Sequence, residues 1–343
     1  MKIEKLKIGK NHPPIVIVDI GINHCGKLVL AKKLVDSAIK AGAQIIKHQT
    51  HIPNMEMSLE AKKIKPGNSH LSIFQVIKNN CLSLEDEEKL CIYVRRKKKI
   101  YISTPFCFEA VDFLEKLNVP AYKIGSGECN NFPLVEYIAK KNKPIILSTG
   151  MNSMQTVIKS VNIIKKYNKN KLAILHCTNL YPTPVNLVRL ECISQLQKKF
   201  KNEIIGLSDH TETNHTSFGA ISFGARVIEK HFIDNKKIRS GPDISASADH
   251  YQLKDLIEGV KNIFSALRGK KKMINEEKIT AKFAFASVVT RRNIIKGELL
   301  DKNNITLKRP GTGFFKPNDF KKILGKRAKK NILGNQQLKK NDF

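Results

Sequence analysis

Short apolar runs recur along the chain, and each gives way to polar residues at its C-terminal end. Ile15–Val18 leads to Asp19 and then Asn23–His24, Gln44–Ile46 to Lys47–Gln49, and Ile100–Ile102 to Ser103–Thr104. Ala121–Tyr122 leads to Lys123 and Gly125–Glu128, and Ile145–Leu147 to Ser148–Thr149. Leu172–Leu175 leads to His176–Asn179, Ile204–Leu207 to Ser208–His210, and Arg226–Ile228 to Glu229–His231. Between these runs lie helical patterns. Leu28–Ala41, for example, carries Leu30, Leu34, Val35, Ala38 and Ile39 on one broad face and is stopped by Gly42. Eight strand-like units alternating with helices, each with chemistry at its C-terminal end, predict a (β/α)8 TIM barrel with its active site at the top face. An open doubly wound sheet would instead gather its ligand groups at one switch point.

The stretch Thr50–Asn80 is longer than most barrel loops and is expected to shape the active site. Leu253–Leu267 reads as the closing helix. The expected organisation is a barrel over residues 1–268, a polar linker over 269–282 and a small domain over 283–343, where short elements alternate with tight turns such as Pro310–Gly313. A domain of that size sits near the lower limit for a self-sufficient core, so it is expected to pack on the barrel or on a partner subunit.

Composition narrows the class. Apolar residues make up 41% of the chain, enough for a large core, and there is no continuous apolar stretch of membrane-spanning length. The basic segment Met1–Lys10 lacks the apolar region of a secretory signal. Seven cysteines without metal-ligand spacing read as reduced thiols in a cytoplasmic protein. The net charge of +31 is spread along the chain, with few aromatics near the lysine runs, and is read as solvated surface rather than a nucleic-acid footprint. No nucleic-acid or membrane partner is expected.

The chemistry sits after the strands. His210 and His231 each follow a late strand, and two imidazoles with open positions suit Mn²⁺, Fe²⁺, Co²⁺ or Zn²⁺. Their neighbours Asp209 and Glu229 are read as pointing away, as supporting or barrel-interior groups. Lys47 and Lys123 can hold phosphate or carboxylate, or form a Schiff base. Thr104, Ser126, Ser148 and Asn179 add hydrogen bonds around an anion. Asp19 faces the same mouth, Glu128 and Asp243 can grip hydroxyls or move protons, and Gln49 can orient a polar substrate. Tyr181 either stacks on a ligand or anchors its Pro-rich loop, and Arg309 stands beside a rigid turn.

With these residues in place the chain resembles the sialic acid synthase (N-acetylneuraminate synthase) family. The strings that carry the likeness are Asp19–His24, Lys47–His51, Ser103–Phe106, Lys123–Asn131, Ser148–Asn152, His176–Pro184, Gly206–His210, Gly241–Asp243, Phe283–Ser287 and Lys308–Gly311. The resemblance implies a TIM barrel followed by an antifreeze-like (SAF) domain in a domain-swapped homodimer. It implies condensation of phosphoenolpyruvate with N-acetylmannosamine and water to N-acetylneuraminate and phosphate, in the bacterial N-acetylmannosamine branch. The alternative is a legionaminate- or pseudaminate-type synthase using a 2,4-diacetamido-6-deoxy sugar.

By the same resemblance, His210 and His231 hold a divalent metal, Mn²⁺ with Mg²⁺ or Co²⁺ as alternatives. Lys47, Thr104, Lys123, Ser126, Ser148 and Asn179 surround phosphoenolpyruvate. Gln49, Tyr181, Asp243 and Phe283 line the sugar side, Glu128 meets a sugar hydroxyl, and Arg309 enters the partner's site. The chain departs from the family at Asp19, where Glu is usual. The carboxylate is kept, but its reach is shorter by one methylene.

Overall fold

The computed structural model describes residues 1–67, 69–237 and 241–343. Two compact units divide the chain, residues 1–268 and 269–343.

In the first unit eight parallel strands close into a barrel. They are β1 (Ile15–Asp19), β2 (Ile45–Thr50), β3 (Ile100–Pro105), β4 (Tyr122–Ile124), β5 (Ile145–Ser148), β6 (Leu172–Cys177), β7 (Ile204–Asp209) and β8 (Val227–His231). Neighbours in the barrel are neighbours in sequence, and β8 closes onto β1. Period-2 alternation divides the strand residues between two cores. Val16 and Val18 of β1 pack outward with the helices, while Ile17 joins Ile45, Ile102, Ile146 and Val227 inside the barrel.

Helices follow the strands with the expected stops and starts. Leu84–Arg96 is capped by Ser83, whose hydroxyl accepts from Asp86 N–H at 3.1 Å, and it carries Glu85, Asp86 and Glu87 in its first turn. The closing helix is His250–Ala266, capped by Asp249. Among the described residues no helix is long and apolar enough to cross a membrane.

An element not legible in the pattern is an N-terminal hairpin of two-residue strands, Lys2–Ile3 and Leu6–Lys7. Ile3 and Ile8 are buried in the inner core. Leu6 and Lys7 lie beside Ile15 and Ile45, the first residues of β1 and β2, so the hairpin covers the barrel end away from the polar strand ends.

The register fixes which strand-end residues are side by side. His231 pairs with Asp19 across β8 and β1, and Asp19 with Lys47 across β1 and β2. Gln49 pairs with Thr104 across β2 and β3. The excursion after β2 contains the short helix Pro53–Glu56 and the helix Ile73–Asn80, whose N-terminus is closed by a reciprocal Ser72–Gln75 capping box.

The second unit has a small core of Val288, Ile294, Leu300, Ile305, Ile323, Ala328, Ile332 and Leu338. Strand Ser287–Thr290 pairs antiparallel with Ile305–Lys308, and Lys278–Ala284 forms a short helix.

Candidate active site

The C-terminal ends of the strands surround a cavity of about 380 Å³. Thirteen of the residues singled out from the sequence line it: Asp19, Lys47, Gln49, Thr104, Lys123, Ser126, Glu128, Ser148, Asn179, Tyr181, His210, His231 and Asp243. Phe283 and Arg309 belong to the second unit.

At one side of the cavity the register places a carboxylate between a lysine and a histidine. Asp19 Oδ2 is 2.7 Å from Lys47 Nζ and 3.6 Å from His231 Nε2. It also accepts from Gln49 Nε2 at 3.2 Å, and Oδ1 accepts from Gly21 N–H at 2.9 Å. Burial pushes the Asp19 carboxyl up, but Lys47 and His231, together with the hydrogen bonds from Lys47 and Gly21 N–H, prevail and hold it well below the usual carboxylate range. Burial likewise works against the Lys47 ammonium, and Asp19 and Glu229 outweigh it, raising Lys47. Lys47 also donates to Thr104 Oγ1 at 3.3 Å. Gly21 adopts a φ of +45°, and a side chain there would crowd Gln49 and His231.

Lys123 forms the second cationic point. Its ammonium donates to Ser148 Oγ at 2.7 Å and lies 3.5 Å from Glu229 Oε1. Burial lowers Lys123 despite that carboxylate, and Lys47 adds to the lowering. Ser126 Oγ accepts from Gly150 N–H at 3.0 Å, and a Cβ at Gly150 would collide with the Asn179 amide, so glycine is what lets Ser126 and Asn179 approach. Gly125 serves Glu128 in the same way, because a Cβ there would run into its carboxylate. Burial pushes the Glu128 carboxyl up to about 7.

Glu229 corrects the sequence reading. It stands two residues before His231 on β8, so strand alternation puts both on the same inner face. Its Oε1 accepts from Ser208 Oγ at 3.1 Å and bridges towards Lys47, 4.0 Å away, and Lys123. The i, i+2 spacing was the available signal. Asp209 does point outward, where it accepts from the hydroxyls of Thr216 and Ser217 and lies 3.4 Å from the buried Lys230.

The two histidine rings lie tilted to each other with centroids 5.4 Å apart, and the Tyr181 ring lies tilted against His210 with centroids 4.2 Å apart. Burial raises the Tyr181 hydroxyl well above its ordinary value, which keeps it neutral. His210 Nδ1 is 2.9 Å from the carbonyl of Thr178, an arrangement in which that nitrogen carries the proton and Nε2 is the free ligand atom. His231 Nδ1 is buried and has no hydrogen-bond partner among the described residues. A buried ring nitrogen without a partner beside a second, oriented imidazole fits a divalent cation completed by substrate or water. Among the described residues no group of three or more His, Cys, Asp or Glu side chains is gathered to hold a metal by itself.

Further residues hold this constellation from behind. Asn23 donates to the carbonyl of Phe232 and to Ser247 Oγ, both at 2.9 Å, and Ser247 donates to the carbonyl of Asp243 at 2.7 Å. The loop after β1 is thereby tied to the segment carrying Asp243. In the second unit, the turn after Arg309 is pinned as Gly311 N–H donates to the carbonyl of Lys282 and Ser287 Oγ to that of Pro310. Arg309 and Phe283 are both exposed within that unit.

Comparison with known proteins agrees with this architecture. Residues 34–272 match the model of the NeuB family, and residues 285–343 match the SAF domain. The chain is 36% identical to the N,N'-diacetyllegionaminic acid synthase of Campylobacter jejuni, over 95% of this chain and 98% of that one. It is 34% identical to the pseudaminic acid synthase of the same organism, over 96% of each. The crystal structure of an N-acetylneuraminic acid (sialic acid) synthetase from Leptospira borgpetersenii in complex with citrate superposes with a TM-score of 0.74 at 27% identity, covering 82% of this chain and 94% of that one. A closed barrel with this strand-end set, a SAF domain and similarity along almost the whole length place the chain in the NeuB family.

Proposed function

We propose that the protein is a nonulosonic acid synthase that condenses phosphoenolpyruvate with a 2,4-diacetamido-6-deoxy sugar and water, releasing phosphate. The observation that carries the reaction class is the meeting of two buried lysines, Lys47 and Lys123, with a histidine pair at one barrel mouth. The acceptor reading rests on the relatives. The N-acetylmannosamine expected from the sequence gives way to the diacetamido alternative, because relatives similar over nearly the full length are legionaminic and pseudaminic acid synthases.

In the reaction, carbon 3 of phosphoenolpyruvate bonds to the aldehyde carbon of the open-chain sugar, water adds at carbon 2, and the C2–O bond to phosphate breaks. Lys123, with Ser126, Ser148 and Asn179, holds the phosphate, and Lys47 with Thr104 balances the remaining negative charge. Both act as fixed electrostatics already in place before charge moves. Asp19, kept anionic by its neighbours, orients the attacking water by accepting a hydrogen bond from it, and the water's protons pass to the aldehyde oxygen and the departing phosphate. Glu128, at about 7, can give a proton to a sugar oxygen at neutral pH. Gln49, Tyr181 and Asp243 orient the sugar. His210 and His231 would hold a divalent ion, Mn²⁺ in the first instance, which when bound supplies Lewis-acid polarisation of the aldehyde oxygen. Neither lysine needs to form a Schiff base.

The functional unit in this reading is a homodimer in which Arg309 and Phe283 of one protomer complete the site of its partner. The test is to supply Mn²⁺, phosphoenolpyruvate and each candidate sugar, and to follow phosphate and the nine-carbon acid by mass spectrometry. Both products from the diacetamido sugar, at higher kcat/KM than from N-acetylmannosamine, support the reading. Preference for N-acetylmannosamine overturns its acceptor half.

A further inference from the structure

Polar strand-end residues line the cavity all round, and apolar residues add a wall beyond the ends of β1–β3. Ile22 from the loop after β1, Ile73, Val76 and Ile77 from the helix after β2, and Phe106 following β3 all line it. Ser126, Ser148 and Asn179 stand at the ends of β4, β5 and β6. In a closed eight-stranded barrel β2 lies diametrically across from β6, and β1 from β5. The apolar wall therefore faces the phosphate-holding side across the mouth.

The wall is built into the fold. Ile22, Val76 and Ile77 form a separate buried apolar cluster, with Met57, Ile73 and Cys81 packed against it. Gly26 N–H donates to the carbonyl of Asn80 at 2.9 Å, which ties the loop bearing Ile22 to the helix bearing the other three. The Ser72–Gln75 capping box and a 2.8 Å bond from Ile73 N–H to the carbonyl of Ile64 fix the start of that helix.

We infer that this wall of Ile22, Ile73, Val76 and Ile77 receives the C6 end of the acceptor sugar and selects a 6-deoxy methyl over a hydroxymethyl. The inference rests on the acceptor reading above. The aldehyde at C1 must meet phosphoenolpyruvate, whose phosphate is held from the β4–β6 side. C6 is the opposite end of the open chain, and it extends towards β1–β3. There a methyl exchanges water for apolar contact, whereas a hydroxyl loses its water and finds no donor or acceptor on these four side chains. An apolar pocket discriminates against one added hydroxyl by up to about 10²-fold.

The experiment compares kcat/KM of the full-length protein with Mn²⁺ for three acceptors: 2,4-diacetamido-2,4,6-trideoxymannose, 2-acetamido-2,6-dideoxymannose and N-acetylmannosamine. The second differs from the third only at C6, which isolates the wall from any contact with the C4 substituent. The expected result is a preference of about tenfold or more for 2-acetamido-2,6-dideoxymannose over N-acetylmannosamine. Val76→Thr, which adds a hydroxyl at nearly constant volume, is expected to reduce that preference at least threefold, with a single cooperative melting transition checking its fold. If the wild type uses the trideoxy sugar but treats the other two alike, the wall inference fails and the acceptor reading stands. If N-acetylmannosamine is the best of the three, or none is consumed, the acceptor reading fails and the inference with it. If Val76→Thr does not fold, the wild-type ratio decides alone.

Discussion

Lys47 Nζ lies 2.7 Å from Asp19 Oδ2, on neighbouring strands whose register pairs the two residues directly. Both side chains are buried, so each is the other's main compensation for lost hydration. The pair also reaches His231 and Gln49, which makes Asp19 the junction of the cationic and histidine sides of the cavity.

Removing Asp19 should therefore cost both stability and activity. Asp19→Ala leaves the buried Lys47 with only the more distant Glu229 as counter-charge, and the expected loss is up to about 3–5 kcal/mol in a denaturant titration, with kcat/KM down by at least about 10²-fold. Asp19→Glu keeps the carboxylate and lengthens its reach by one methylene. It is expected to keep or raise kcat. A fall in kcat of tenfold or more for Asp19→Glu would contradict the view of Asp19 as a short substitute.

Glu128 predicts a pH dependence. Its folded value, about 7, lies above the ordinary 4.5 of an unfolded glutamate. Between those values the folded state keeps a proton that the unfolded state has released. The contribution is thus fully present below about pH 4.5 and is lost as pH rises through about 7. Glu128→Gln should remove this fall, which is on the order of 3 kcal/mol for a shift of this size. The check is unfolding free energy at pH 5 and pH 8 for both proteins. An identical difference in the two would contradict the assignment.

Metal binding by the histidine pair has a readout independent of turnover. Mn²⁺ at a hundredfold excess over its Kd should stabilise the chelator-treated wild type by about 2.7 kcal/mol, seen as a rise in melting temperature. His231→Ala and His210→Ala should lose that rise. An equal rise in both variants would place the ion elsewhere.

The dimer reading predicts complementation. Arg309→Ala and Lys123→Ala subunits are each expected to be nearly inactive alone. A mixed dimer would contain one site with both residues intact, so partial activity should return once subunit exchange is verified. Verified exchange without recovery would contradict a role for Arg309 across the interface.

Much of the barrel site was legible because a βα alternation fixes where strand-end residues converge. Thirteen of the chosen side chains line one cavity although they span Asp19 to Asp243. What escaped did so for identifiable reasons. Glu229 reads as pointing away only when it is grouped with the histidines' immediate neighbours, whereas its two-residue spacing to His231 decides its face. The N-terminal hairpin has strands of two residues, too short for any periodicity to register. The apolar wall combines Ile22 with a helix some fifty residues later, and that pairing depends on how the excursion folds back. The Asp19–Lys47 contact depends likewise on inter-strand register, which a sequence pattern does not supply.

The central claim is that phosphoenolpyruvate condenses at this mouth with loss of phosphate by C–O cleavage, held by lysines that form no covalent bond. The most direct measurement uses phosphoenolpyruvate labelled with ¹⁸O in the bridge between carbon 2 and phosphorus, together with Mn²⁺ and 2,4-diacetamido-2,4,6-trideoxymannose. The account predicts that the label leaves with inorganic phosphate and that the nine-carbon acid forms in equal amount without it. Label retained in the acid, or phosphate released without the acid, would contradict it.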